Sequence, residues 1–188
     1  MASIIYFALG IVAGVLLFVV GQRASAAWLR YRGTRVVNCP ENGVPVAVDI
    51  DVRHAVSSAS RGNLDLKLRS CTRWPERAQC GQECMSQIEA APADCLARNI
   101  LASWYEGKSC HYCRSAFGKV EWTDRKPGLL SPEHRVLAWE DVAPEAIPAA
   151  LETHDPVCAN CLITEGFRQK HADLVTERTA DARELHVH

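Results

Sequence analysis

The distribution of apolar and polar residues divides the chain into three unequal regions. Ser3 to Val20 is an unbroken apolar run, and residues 1–22 contain no charged side chain. Such a run is long enough to cross a hydrocarbon core of about 30 Å as a helix. From Arg35 to Val52 the pattern changes to alternation with period two, interrupted by Pro40-Glu41-Asn42-Gly43. This predicts a β-hairpin with Cys39 at its turn. Ser57 to Asn63 predicts a polar loop, and Leu64-Asp65-Leu66-Lys67-Leu68 a further strand running into Cys71. Glu83 to Ala90 and Ala93 to Tyr105 predict two short helices broken at Pro92. In the second, Leu96, Ile100 and Trp104 form one apolar face, Asp94 is a candidate cap and Gly107 a stop. Residues 114–157 are rich in proline, glycine and charge, and a last helix opens near Cys158 and runs to about Val175.

The fold class is therefore α+β: a single N-terminal transmembrane helix followed by a small cysteine-rich domain. The expected divisions are an anchor at 1–22, a basic juxtamembrane segment at 23–35, and a cysteine-containing α+β subdomain at 36–106. A metal-binding subdomain at 107–176 and a disordered tail at 177–188 complete the chain. A cleaved signal peptide with Ala24-Ser25-Ala26 as its cleavage site is the alternative to a retained anchor. The first segment lacks the positively charged start of a signal peptide, and its apolar run is longer than usual for one. Arg23, Arg30, Arg32 and Arg35 follow the span with no acidic residue before Glu41. The positive-inside rule then places the N-terminus outside and the domain in the cytoplasm, at an inner or plasma membrane. Trp28 and Tyr31 suit the headgroup layer. Gly10 and Gly14, one turn apart in the span, offer a face for a homodimer.

Composition adds one decisive feature. The net charge is −1, and no dense basic cluster follows Arg35, so nucleic acid is not an expected partner. Nine cysteines are present, an odd number that cannot pair off entirely within the chain. In a reducing cytoplasm thiols favour metal over structural disulfides.

Cys110-x2-Cys113 and Cys158-x2-Cys161 carry the chemistry. Two residues between thiolates let both sulfurs face one ion at about 2.3 Å. Two such pairs complete a tetrahedral site, and the start of a helix stabilises thiolate charge. This arrangement resembles treble-clef and zinc-ribbon modules over roughly residues 107–175, with a longer gap between the pairs than such modules usually have. The resemblance implies a structural zinc. His154 precedes the second pair as His-x3-Cys-x2-Cys, which resembles the zinc motif of bacterial anti-sigma factors and makes His154 a candidate accessory ligand. Neither pair is followed by histidine, so covalent haem is excluded.

A second site is expected from Cys39, Cys71, Cys80 and Cys84, with Cys95 as the competing candidate in place of Cys39. Cys95 otherwise reads as a small buried apolar side chain. One or two zinc ions are thus the expected cofactors. Four thiolates also suit an iron–sulfur cluster, and free Cys-x2-Cys pairs suit thiol–disulfide exchange. No triad, phosphate-binding glycine loop or His-Glu-x-x-His motif is present, so no enzyme activity is expected. The functional expectation is a membrane-anchored cytoplasmic zinc protein, acting as a scaffold, adaptor or accessory subunit beside another protein. The alternative passes electrons at the membrane.

Overall fold

A computed structural model describes residues 2–174 apart from Ala78, Glu121 and Asp124. The tail expected at 177–188 lies outside the described residues. In chain order the elements are α1 (Ala2–Tyr31), β1 (Arg35–Asn38), β2 (Pro45–Ile50), α2 (Val52–Ser60), β3 (Leu68–Cys71), the single turn α3 (Trp74–Arg77), α4 (Met85–Ala90) and α5 (Ala97–Tyr105). They continue with β4 (Gly128–Leu130), β5 (Val136–Leu137), α6 (Ile147–Thr153), β6 (Asp155–Val157) and α7 (Ala159–Lys170). The chain forms two compact units, the first of Met1–Ser103 with Ala143–Pro148, the second of Trp104–Val142 with Ala149–His188.

In the first unit, Ser3–Tyr31 is long and apolar enough to cross a membrane, and its most apolar stretch buries nothing within the protein. The helix does not stop where the charges begin. It continues through Arg23 and Arg30, and Ala27 and Tyr31 enter the core with Val37, Val46, Val48, Ala55 and Ile88. Tyr31, expected at the headgroups, is 4% exposed, whereas Trp28 stays half-exposed under the Arg32 guanidinium, 4.4 Å from its ring centroid. A helix leaves its last carbonyls without partners. Here fully buried Arg35 supplies them, its Nη1 donating to Tyr31 O at 2.8 Å and to Gly33 O at 2.9 Å.

β1, β2 and β3 form an antiparallel sheet in that order, with Arg35 opposite Val48 and Val48 opposite Cys71. The hairpin at Cys39 is as the alternation predicts. The segment after it is not. β2 ends at Ile50, Asp51 accepts from the His54 N–H at 3.0 Å as an N-cap, and the polar run expected as a loop is largely the helix α2. Its serines bond back onto the helix's own carbonyls, Ser57 Oγ to His54 O and Ser60 Oγ to Val56 O, so their hydroxyls are satisfied without leaving the helix. Ala55 and Ser58 are buried on the face that packs against α1. The following strand begins only at Leu68, where the register with β2 ends opposite Ile50, and Lys67 O accepts one further bond from the Asp51 N–H at 2.8 Å. The two helices near Pro92 are shorter than expected, and in α5 the buried side chains are Leu101 and Tyr105.

In the second unit β4 is flanked by β5 and β6, both antiparallel, and α7 lies against the sheet. Tyr105 is fully buried, donates to Gly128 O at 2.6 Å and accepts from Trp139 Nε1 at 2.9 Å. Burial pushes its hydroxyl pKa up, so the phenol stays a donor. At Gly128 a Cβ would meet Leu137 O at 2.6 Å and the Leu162 methyls at 2.8 Å. The absence of a side chain there is what lets α7 approach the sheet. Gly128→Ala is expected to destabilise this unit by about 1–3 kcal/mol through overpacking. Urea unfolding checks this, and an unchanged midpoint would show that α7 does not need the space.

Candidate metal centre

The first thiol pair sits on a hairpin knuckle. Gly107, at φ +72°, ends α5, and a bridge pairs Ser109 with Ala116. Within the turn the Cys110 N–H donates to Ser115 O at 2.9 Å, and the Arg114 N–H returns to Cys110 O at 3.0 Å. Arg114 takes the left-handed conformation, φ +60°, to complete the reversal. The second pair follows β6 directly. Cys158 is the residue before α7, in extended conformation, and Cys161 lies in the first turn of that helix. The sequence thus places one pair on a turn and the other at a helix start.

Two contacts tie the knuckle to the helix start. The His111 N–H donates to Pro156 O at 2.8 Å, and the Cys158 N–H points at Cys110 Sγ, 3.3 Å away. Amides directed at sulfur are what a thiolate ligand requires. Among the described residues, Cys110, Cys113, Cys158 and Cys161 bring their Sγ atoms within 4.8 Å of one another. Cys113 Sγ lies 3.7 Å from Cys158 Sγ. These four cysteines could hold one metal ion, and residues 114–157 between the pairs do not keep them apart. Cys110 is fully buried against Leu130 and Val157, Cys158 and Cys161 are half-buried, and Cys113 is exposed.

The thiols differ electrostatically. Hydrogen bonding with the Ser115 hydroxyl and backbone, and with Cys110, pushes the Cys113 thiol down to about 6. Desolvation pushes Cys158 and Cys161 up, and for Cys161 the neighbouring sulfurs add to the rise. The exposed sulfur, Cys113, is thus the one whose ionised form its surroundings favour most.

His154 does not join this cluster. It follows the end of α6, with Nδ1 2.8 Å from the Thr153 hydroxyl. His111, which no motif spacing singles out, stands inside the knuckle with Nδ1 3.0 Å from Asp155 Oδ2. Its place between Cys110 and Cys113 is the one signal of this in the sequence.

The other sequence candidates lie in the first unit. Cys39, Cys71, Cys80 and Cys84 line one cavity of about 100 Å³, and Cys95 does not. Burial pushes the Cys84 thiol up, and Cys71, Cys80 and Cys39 add to that rise. Cys95 packs at the edge of the core with Sγ 3.7 Å from Gln87 O.

In metal-stripped, reduced protein, alkylation of Cys113 is expected to rise with pH through about 6, because its thiolate forms above that value. Cys158 and Cys161 should lag at every neutral pH. Mass-spectrometric mapping of iodoacetamide adducts checks this. A Cys113 profile rising only near an ordinary thiol value of about 8.5 would contradict it. Comparison with protein families, with curated proteins and with solved structures finds no match, and the four-cysteine cluster is assigned to no family.

Proposed function

We propose that the chain is a membrane-anchored zinc protein whose metal is structural, and that it serves as a scaffold, adaptor or accessory subunit beside another protein. The observation that carries this reading is the convergence of four sulfurs from two turns to within 4.8 Å. Four thiolates fill a tetrahedral sphere and leave no position for a substrate or an activated water, so the ion stabilises rather than reacts. Zinc suits such a closed, all-sulfur set.

The anchor reading draws on α1. Its apolar side chains, such as Phe7 and Leu17, stand over 70% exposed, a surface that lipid covers and water does not favour. The alternative cleavage site, Ala24-Ser25-Ala26, lies inside the continuous helix α1. Arg23, Arg30 and Arg32 after the span favour a cytoplasmic domain at an inner or plasma membrane. A Cβ added at Gly10 or Gly14 would meet nothing within 4 Å, which leaves that face open to a second span. The partner reading draws on α7, where Ile163 and Phe167, one turn apart, are 72% and 52% exposed.

A second reading, thiol–disulfide exchange, is favoured by one observation: the exposed Cys113 sulfur with its thiol pushed down to about 6. Chelation separates the two. If zinc is structural, a strong chelator removes it from the purified chain and the unit around Tyr105 and Val157 becomes protease-sensitive, with loss of its near-ultraviolet signal. Folded, metal-free protein cycling between dithiol and disulfide would replace this reading with the redox one. Brown protein containing iron would replace it with an iron–sulfur reading.

A further inference from the structure

The first unit has a segment whose sequence does not explain its order. Between β3 and α4 the described residues contain one helical turn, Trp74–Arg77, and Gln82 sits in the left-handed conformation at φ +55°. Helices of one turn do not hold themselves. Its ends are tied to the sheet, the Thr72 N–H donating to Ala47 O at 3.0 Å and the Leu68 N–H to Gln82 Oε1 at 3.3 Å, and four cysteines stand along the same stretch and its support.

Cysteines enter the same cavity from three directions. Cys39 stands one residue beyond β1, its N–H donating to Val44 O at 2.9 Å while the Gly43 N–H returns to Cys39 O at 2.8 Å. Cys71 is the last residue of β3. Cys80 and Cys84 come from the irregular stretch itself, and all four line the cavity of about 100 Å³. The hairpin and the strand are part of the rigid sheet, so two of the four sulfurs have fixed supports. Arg73 Nη1 donates to Cys39 Sγ at 2.9 Å and lies 3.3 Å from Glu41 Oε2. Arg73 and Arg77 both line the cavity. Glu41 and Glu83 line it too, and Glu41 Oε2 lies 3.3 Å from Arg73 Nη1 and 3.7 Å from Arg77 Nε, so the two guanidiniums are shared between this carboxylate and the sulfurs.

We propose that Cys39, Cys71, Cys80 and Cys84 form a second metal site that takes one zinc ion and staples residues 72–84 to the sheet. On binding, each thiol gives up its proton and the four sulfurs replace the ion's water. Among the described residues only the first cluster brings three or more such ligand atoms within 4.8 Å of one another, so binding at this second set requires its sulfurs to close in around the ion. Cys95 stays outside it, held against Gln87 O. Nine cysteines then divide into two sets of ligands and one packing residue.

The test is metal stoichiometry in the full chain, purified in detergent under anaerobic conditions. Wild type is expected to hold about two zinc ions per chain. Cys80→Ser should halve that content, and Cys110→Ser should halve it independently. One zinc per chain with no loss on Cys80→Ser overturns the second site. No loss on Cys110→Ser strikes the first site alone, so the two failures are distinguishable. Should Cys80→Ser not accumulate, wild-type protein gives the answer through alkylation in the native state. Protection of Cys39, Cys71, Cys80 and Cys84 that a chelator abolishes supports the site. Their labelling at the same rate with and without chelator, or their recovery as disulfides, overturns it.

Discussion

Four sulfurs must come together from two turns that are remote in sequence, and the second unit is organised around that demand. Bringing thiolates close costs electrostatic repulsion and desolvation unless a cation and directed donors compensate. The knuckle and the helix start supply donors from the backbone: the Cys158 amide aimed at Cys110 Sγ, and the Ser115 backbone and hydroxyl beside Cys113. The sheet supplies the alignment. β6 delivers Cys158, and the His111 amide fastens the knuckle to Pro156 in that strand. Leu130 and Val157 back the buried Cys110, with Phe117, Val136 and Leu162 packed beside them.

The first unit solves a different problem. An apolar helix that ends at the protein's edge would leave its carbonyls bare and its direction undefined. Instead α1 runs on past its last apolar turn, buries Ala27 and Tyr31 beside α2, and is closed by the Arg35 guanidinium. The apolar stretch and the turns that pack beside the first unit's sheet thus belong to one continuous helix. Arg35, which reads in the sequence as one more positive flank charge, is fully buried and satisfies backbone. Its charge contributes to capping rather than to the membrane surface.

The features legible in the sequence are those fixed by local chemistry. An uncharged apolar run of membrane length and the Cys-x2-Cys spacings each declare themselves within a few residues. The hairpin around Cys39 is equally local, since alternation and a Pro-Glu-Asn-Gly turn specify it. What is not legible depends on partners far along the chain. The serine-rich stretch at 57–60 reads as loop until Asp51 caps it and α1 offers a face for Ala55. Leu64 to Lys67 has a strand pattern, but the neighbouring β2 ends its ladder at Leu68. His154 has zinc-motif spacing, yet the end of α6 directs it to Thr153 instead of the sulfurs. The choice between Cys39 and Cys95 is open in the sequence for the same reason; of the two, Cys39 lines the cavity with Cys71, Cys80 and Cys84.

Zinc-edge X-ray absorption on the purified full chain tests the central claim most directly. The expected result is a shell of sulfur alone, four per zinc at about 2.3 Å. A nitrogen or oxygen shell near about 2.0 Å, or fewer than four sulfurs, would contradict it.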